Sequence, residues 1–303
     1  MRLEQHGNGV THSRRLPLHR DTLFDCASLT KPLITAALVR ALGADLDRPV
    51  RFERGMSPFP LGNPTIRQLM EHTGGMPGWC PVYTLAPDPG NALRRLPSLQ
   101  HARPGAGTEY SCTGYILLGR WLELETGHSL PELAERHLFR PLGVMARAYF
   151  PLPAGFPRER VAATELGNRI ERDMSGNRAP HRASPIWGEV HDGNAQFLGG
   201  AAGNAGLFAT VESVAVLARA AWVDRDGVQT SGNFRMGFKN GGDGTCFPRG
   251  TLGHTGFTGT SVCLHLRKRN KISILLTNRL HRRKPQDILP LRARFHAWAE
   301  GQG

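Results

Sequence analysis

Lysine is scarce in this chain, with five residues (Lys31, Lys239, Lys268, Lys271, Lys284) among 38 basic side chains, the rest being arginine. The formal charge of +13 is therefore carried by arginines dispersed along the whole length, which argues against a nucleic-acid-binding stripe. The two dense clusters, Arg267-Lys268-Arg269-Asn270-Lys271 and His281-Arg282-Arg283-Lys284, flank the strand-like run 272–277, where solvated turn residues are expected. Cysteine is equally sparse: Cys26, Cys80, Cys112, Cys246 and Cys263 include no C-x-x-C pair, which excludes a zinc ribbon or a disulfide framework. Free thiols fit a reducing compartment. None of the thirteen histidines falls in an H-E-x-x-H pattern, so neither a metal nor another cofactor is expected. No run approaches the roughly 20 apolar residues of a membrane span. The first eight residues lack the apolar core of a signal peptide, so the chain as written reads as cytoplasmic.

What is present is an ordinary globular composition, 40% hydrophobic and 21% charged over 303 residues, enough for one large domain or two packed subdomains. The middle is helical. Residues 65–72 carry Thr65 as a cap with Ile66, Leu69 and Met70 at helical spacing, and Gly74-Gly75-Met76-Pro77-Gly78 ends the pattern. Residues 112–126 form a stronger helix, and Ser129 caps another with Pro131 in its first turn. Residues 151–185 are polar and rich in Pro and Arg, predicting a long surface excursion near a site. A helix is expected over 211–222. The last third changes to short runs, 234–238, 251–255, 262–266 and 272–277, separated by Gly or charge, which suits antiparallel strands. A closing helix spans 286–300. The fold class is α+β, with sheet regions near 1–45 and 190–303 around a helical region at 46–189, together one domain.

The most informative local feature is Ser28-Leu29-Thr30-Lys31, at the start of the apolar run Leu33-Ile34-Thr35-Ala36-Ala37-Leu38-Val39. Residues three apart on a helix are neighbours, so the hydroxyl and the amine share a face. A serine is a poor nucleophile until a base takes its proton, which a lysine of lowered pKa can do. Pro32 is tolerated only near a helix start, which fixes the start close to Ser28 and sets orphan N–H groups beside it. Burying Lys31 there disfavours the ammonium and predicts a lowered pKa.

Two further motifs follow in order. Tyr110-Ser111-Cys112 sits at a loop-to-helix boundary, and His254-Thr255-Gly256 ends a strand ahead of Phe257-Thr258-Gly259-Thr260. Together these resemble the Ser-x-x-Lys, Tyr-x-Asn and Lys/His-Thr-Gly set of the β-lactamase-related, penicillin-binding-protein-like serine hydrolases: class C β-lactamases, D-Ala-D-Ala carboxypeptidases and β-lactamase-like esterases. The resemblance extends through Asp21-Thr22-Leu23-Phe24-Asp25-Cys26-Ala27-Ser28, Ile66-Arg67-Gln68-Leu69-Met70-Glu71-His72-Thr73-Gly74-Gly75-Met76-Pro77, Val190-His191-Asp192-Gly193-Asn194-Ala195, Gly203-Asn204-Ala205-Gly206-Leu207-Phe208 and Leu275-Leu276-Thr277-Asn278-Arg279. It covers residues 20–300.

The resemblance implies an antiparallel sheet flanked by helices, plus a helical subdomain, and an acyl-enzyme mechanism on a small-molecule ester, amide or β-lactam-like substrate. Ser28 would attack the carbonyl, Lys31 would hold or take its proton, and Tyr110 would relay a proton to the leaving group and activate water. The N–H groups of Ser28 and Phe257 would form the oxyanion hole. His254, in place of the motif's lysine, would set an optional positive charge beside the substrate, with Thr255 and Gly256 completing that wall. His72 and His191 are expected to be structural.

Two departures shape the reading. Cys112 stands where the family has Asn, and a thiol donates and accepts weakly, which favours simple esters over acylamino substrates. Only 27 residues precede Ser28, where relatives place a helix and two strands, so the N-terminal strands are expected to be incomplete and the sheet to have a raw edge. A start farther upstream, with an export signal, is the alternative to a cytoplasmic chain. The functional expectation is an esterase or carboxypeptidase-like serine hydrolase. The alternatives are a true β-lactamase or DD-peptidase, and a binding relative impaired by Cys112 or the short N-terminus.

Overall fold

The computed structural model describes residues 8–10, 15–51, 55–182, 185–221, 234–266, 271–282 and 284–302. Residues 267–270 and Arg283 of the basic clusters, residues 11–14, and Trp222 at the end of the expected 211–222 helix lie outside the described residues.

The chain's last third folds as an antiparallel meander of five strands, Phe234–Arg235, Phe238–Asn240, Thr251–Thr255, Ser261–His265 and Lys271–Leu275, each hydrogen-bonded to its sequence neighbour. Side chains alternate between faces with the period of two that a strand imposes. Val262 and Leu264 enter the main core, with Ile272 and Ile274 packed against it. Ser261, Cys263, His265 and Ser273 share the opposite face, their cross-strand register pairing Ser273 with Cys263. There the helix Leu289–Gly301 covers them. His296 of that helix hydrogen-bonds Ser261 Oγ at 2.9 Å and Ser273 Oγ at 2.8 Å, and His265 bonds Ser273 Oγ at 2.8 Å. The main sheet thus draws its described strands from residues 234–275, while Asn8–Val10 and Arg15–Pro17 pair only with each other.

The apolar run after Ser28 is a continuous helical segment. A tight 3₁₀ turn over Ala27–Leu29 opens into a wider i→i+5 stretch at Lys31–Ala36, then an α-helix at Ala37–Ala41. Pro32 lies in its first turn, where a missing N–H costs least. Wide turns of this kind recur at functional sites. Leu29, Leu33, Ile34, Leu38 and Val39 are all 0% exposed. Burial of each such side chain stabilises by about 1.5–3 kcal/mol, so this segment is a fixed platform.

The middle helices begin where their caps dictate. Thr65 and Gln68 form a reciprocal capping box for Ile66–Met70, as do Ser129 and Glu132 for Leu130–Ala134. Ser111 caps Cys112–Thr126, which Gly127 ends at φ +71°. The 151–182 stretch differs from the surface excursion expected of it. Glu165, Asn168, Glu171, Ser175 and Arg182 are buried. The guanidinium of Arg182 donates to the carbonyls of Val190 and His191 at 2.7 and 2.8 Å, and Asn168 bonds Pro180 O and Arg182 N. Polar composition suggested solvent; internal hydrogen bonding of Glu165, Asn168 and Ser175 and of the Arg182 terminal nitrogens permits burial instead. Among the described residues no helix is long and apolar enough to cross a membrane.

Candidate active site

Ser28 is presented by a constrained backbone. The preceding Ala27 sits at φ +46°, a left-handed conformation costing an alanine about 1–2 kcal/mol. Asp25 holds it there: one carboxylate oxygen accepts Ala27 N–H at 2.8 Å and the other accepts His191 N–H at 2.7 Å. Burial raises the Asp25 carboxyl pKa, opposed by those two N–H donors. His191 in turn pairs its Nε2 with Glu165 at 2.8 Å, a structural role.

Lys31 Nζ donates to Ser28 Oγ at 2.8 Å, lies 3.4 Å from Cys112 Sγ and donates to the carbonyl of Asn204 at 3.4 Å. That last contact depends on a close approach at Gly203, where a Cβ would meet Tyr115 O at 1.9 Å. Lys31 Nζ also sits 4.9 Å from the Tyr110 ring centroid, and the Tyr110 hydroxyl interacts with both Lys31 and Ser28. As a whole residue Tyr110 is 39% exposed, while its hydroxyl is buried. Tyr110 is fixed from behind by His72, whose ring lies 4.6 Å away and whose Nδ1 accepts Ser111 N–H at 2.9 Å. Burial keeps His72 neutral, pushing it well below the usual histidine range.

The charges differ in sign from the sequence expectation at two places. Burial alone lowers the Lys31 pKa, yet its net displacement is upward, because Cys112 and Tyr110 face the ammonium and favour it. Burial pushes Tyr110 and Cys112 up in turn, with the Lys31 charge pulling the other way. A positive charge on His254 is disfavoured where that ring sits. The residue is 3% exposed, gives its Nδ1–H to Thr255 O at 2.9 Å, and is depressed to about 3 by burial and by Lys31. Its buried Nε2 has no hydrogen-bond partner among the described residues, and its ring lies 5.8 Å from that of Tyr110.

Residues 256–260 form the opposite wall. Gly256 N–H donates to Thr260 O at 2.7 Å. A Cβ on Gly256 would meet Thr260 Oγ1 at 2.0 Å and Cys26 O at 2.6 Å, so no larger residue fits against the Ser28 segment. Thr258 donates to Asp25 O at 2.7 Å and Thr260 to Cys26 O at 3.0 Å. These two hydroxyls pin the turn bearing Phe257 to the backbone bearing Ser28. Phe257 is 41% exposed at the mouth, and the Arg279 guanidinium stacks over it at 5.0 Å while donating to its carbonyl at 2.8 Å. The structure thus brings Ser28, Lys31, Tyr110, Cys112, His254, Thr255, Gly256 and Phe257 to one cleft. Sequence reasoning missed Asp25, Thr258 and Thr260 as its fasteners. Asp25 carried a local signal, an Asp accepting from the N–H two residues on; the threonines carried none. Among the described residues no group of three or more His, Cys, Asp or Glu side chains is arranged to hold a metal ion.

A family profile described as Beta-lactamase matches residues 4–297. The chain is 31% identical over 307 residues to a protein of Escherichia coli strain K12 named "Putative D-alanyl-D-alanine carboxypeptidase", covering 86% of this chain and 70% of that protein. Solved structures share the fold. A class C beta lactamase aligns with TM-score 0.66 at 18% identity, over 98% of this chain and 88% of its own. EstCE1, a hydrolase with promiscuous acyltransferase activity, aligns with TM-score 0.60 at 21% identity, over 93% and 86%. The beta-lactamase/D-alanine carboxypeptidase of Yersinia pestis aligns at 0.63 with 16% identity, over 95% and 86%. The chain belongs to the beta-lactamase family and is a serine hydrolase of that family.

Proposed function

We propose that the chain hydrolyses simple carboxylic esters through an acyl-enzyme on Ser28. The observation carrying this reading is the 2.8 Å contact between Lys31 Nζ and Ser28 Oγ inside a cluster that also holds Tyr110. The reactive form is the cluster that has lost one proton, shared between Lys31 and Tyr110, since strongly interacting groups titrate as a unit. Ser28 Oγ gives its proton to that pair and bonds to the carbonyl carbon. The carbonyl oxygen takes the displaced electron pair and is stabilised by the N–H groups of Ser28 and Phe257. Collapse breaks the carbon–alkoxy bond, and the pair returns the proton to the leaving alcohol. Water then loses one proton to the pair and bonds to the acyl carbon, and collapse breaks the carbon–Oγ bond as the pair returns that proton to Ser28 Oγ and the acid leaves.

The choice of simple esters rests on Cys112 and His254. An amide side chain at 112 would hold Lys31 and an acylamino group together; a thiol at 3.4 Å holds the lysine alone. A ring at 254 whose charge is disfavoured offers no cation to a substrate carboxylate. A second reading, release of a terminal D-alanine, is favoured by the name of the 31%-identical relative. It predicts D-alanine release from a D-Ala-D-Ala peptide at a rate exceeding phenyl-ester turnover.

The test is intact-protein mass after exposure to a fluorophosphonate, beside Ser28→Ala. A single adduct in the parent chain, with loss of fluoride, and none in the variant is the expected result. No adduct on the folded chain refutes the reading and leaves a binding role.

A further inference from the structure

Arg292 lies on the helix Leu289–Gly301, on the far side of the sheet from Lys31, and is 7% exposed. Among the described residues no carboxylate forms an ion pair with it, and burial lowers its pKa to about 10. A buried guanidinium without an anion is destabilising unless its donors are used, and the Arg292 Nε has no hydrogen-bond partner among the described residues. Its Nη2 donates to two backbone carbonyls, Gly256 O at 2.7 Å and Thr260 O at 2.9 Å. The first of these is decisive. The carbonyl of Gly256 and the N–H of Phe257 belong to the same peptide unit, so a cation on that oxygen draws electrons from that nitrogen and strengthens its N–H as a donor.

We infer that Arg292 is a positioning residue for the oxyanion hole, holding the 256–257 peptide in place and polarising it so that Phe257 N–H binds developing negative charge more strongly. The inference rests on the ester-hydrolase reading above. It explains why a charge is kept where an apolar side chain would fill the space at less cost. The device differs on the two sides: the Ala27 carbonyl, which shares its peptide unit with the Ser28 N–H, accepts the neutral Thr30 hydroxyl at 2.7 Å, and Arg279 acts on the next carbonyl along from Gly256, that of Phe257.

The magnitude follows from two ranges. One oxyanion donor is worth about 10²–10³ in kcat, and polarisation strengthens a hydrogen bond by roughly 10–30%, so its loss lowers kcat about two- to eightfold. The experiment compares the parent chain with Arg292→Gln and Arg292→Lys, using p-nitrophenyl butyrate turnover, the Ki of an arylboronic acid, and the infrared carbonyl band of an acyl-enzyme trapped with a cinnamoyl ester. The expected result is a fall in kcat with KM unchanged, a matching rise in boronate Ki, and a carbonyl band moved to higher wavenumber in Arg292→Gln, all partly recovered in Arg292→Lys. Unchanged kcat and an unmoved band in a folded Arg292→Gln overturn the inference, as does a loss confined to KM. If Arg292→Gln does not fold, the band of Arg292→Lys decides: an ammonium that reaches Gly256 O less closely than the guanidinium moves it part-way, and an unmoved band overturns the inference. A parent chain that takes no fluorophosphonate fails the ester-hydrolase reading; a labelled parent with indistinguishable variants fails the role of Arg292 alone.

Discussion

Replacing Thr258 and Thr260 by valine tests whether the oxyanion wall is fastened to the Ser28 segment as described. Both side chains are buried, at 1% and 0% exposure, and valine matches threonine in shape while removing the hydroxyl. In Thr258→Val the carbonyl of Asp25 loses a 2.7 Å donor. A buried acceptor deprived of its partner costs about 1–3 kcal/mol. In Thr260→Val the carbonyl of Cys26 keeps a second donor, Leu29 N–H at 3.0 Å, so the cost is at the low end, about 1 kcal/mol. The double variant should therefore lose about 2–4 kcal/mol. The two hydroxyls fasten the same pair of segments, so the losses should also couple by about 0.5 kcal/mol or more in a double-mutant cycle. Activity is the sharper readout. If the turn carrying Phe257 drifts away from Ser28, one oxyanion donor goes with it, and acylation falls by up to about 10²–10³. Urea unfolding gives the stabilities, and fluorophosphonate labelling rates give the acylation. Single variants within about 0.5 kcal/mol of the parent chain, labelling at the parent rate, would refute the fastening.

Three further outcomes are expected. Because Lys31 and Tyr110 are both displaced upward, the deprotonated pair is scarce at neutral pH. Ester kcat/KM should therefore climb steadily from about pH 6 to about pH 9, and a flat profile there would sink the shared-proton mechanism. Cys112→Asn should raise turnover of a chromogenic cephalosporin relative to a phenyl ester by about tenfold or more, as an added amide donor and acceptor engages the acylamino group; an unchanged ratio contradicts the role given to the thiol. His254 and His296 are both held near 3 by burial. A depressed histidine gives stability fully present above its ordinary value near 6.5 and lost as pH falls toward 3, since the unfolded chain binds the extra protons. Between about pH 7 and about pH 5 that is on the order of 2 kcal/mol for each, visible as a falling urea midpoint and absent if either ring is charged in the fold.

The residues of the cleft were legible because their signals are local. Pro32 and the unbroken apolar run fix where the Ser28 segment begins, and Ser111 and Gly127 mark both ends of the Cys112–Thr126 helix. Short runs bounded by Gly or charge gave the strands at 251–255, 262–266 and 272–277 to within two residues, whereas the run 234–238 expected as one strand is two, Phe234–Arg235 and Phe238–Asn240, paired across a tight turn. The fasteners were not legible. Thr258 and Thr260 reach carbonyls 233 and 234 positions away, and a hydrogen bond to a distant backbone leaves no period or composition in the sequence. Arg292 is equally silent: in a chain so rich in arginine, one more on a closing helix reads as solvated surface.

The charge states failed for a deeper reason of the same kind. A burial argument needs only the residue and its neighbourhood, and it gives Lys31 a downward shift and leaves His254 free to be a cation. The sign that results depends on which partners fold against each group. Lys31 meets Cys112 and Tyr110 from some 80 positions on, and both favour its charge. His254 meets burial and that same ammonium, and both oppose its charge. The two corrections are therefore one: once Lys31 stays protonated, a second cation at 254 is disfavoured. The site then holds an ammonium next to Ser28, the Arg279 guanidinium farther out over Phe257, and a ring at 254 whose charge is disfavoured. That arrangement discriminates by polarity. A substrate carboxylate on the 254 side would meet a ring whose charge is disfavoured instead of a cation. Replacing His254 by lysine should accordingly shift preference toward carboxylate-bearing substrates, measured as the ratio of kcat/KM for a matched acid and its amide, and an unchanged ratio would mean that this wall does not touch the substrate.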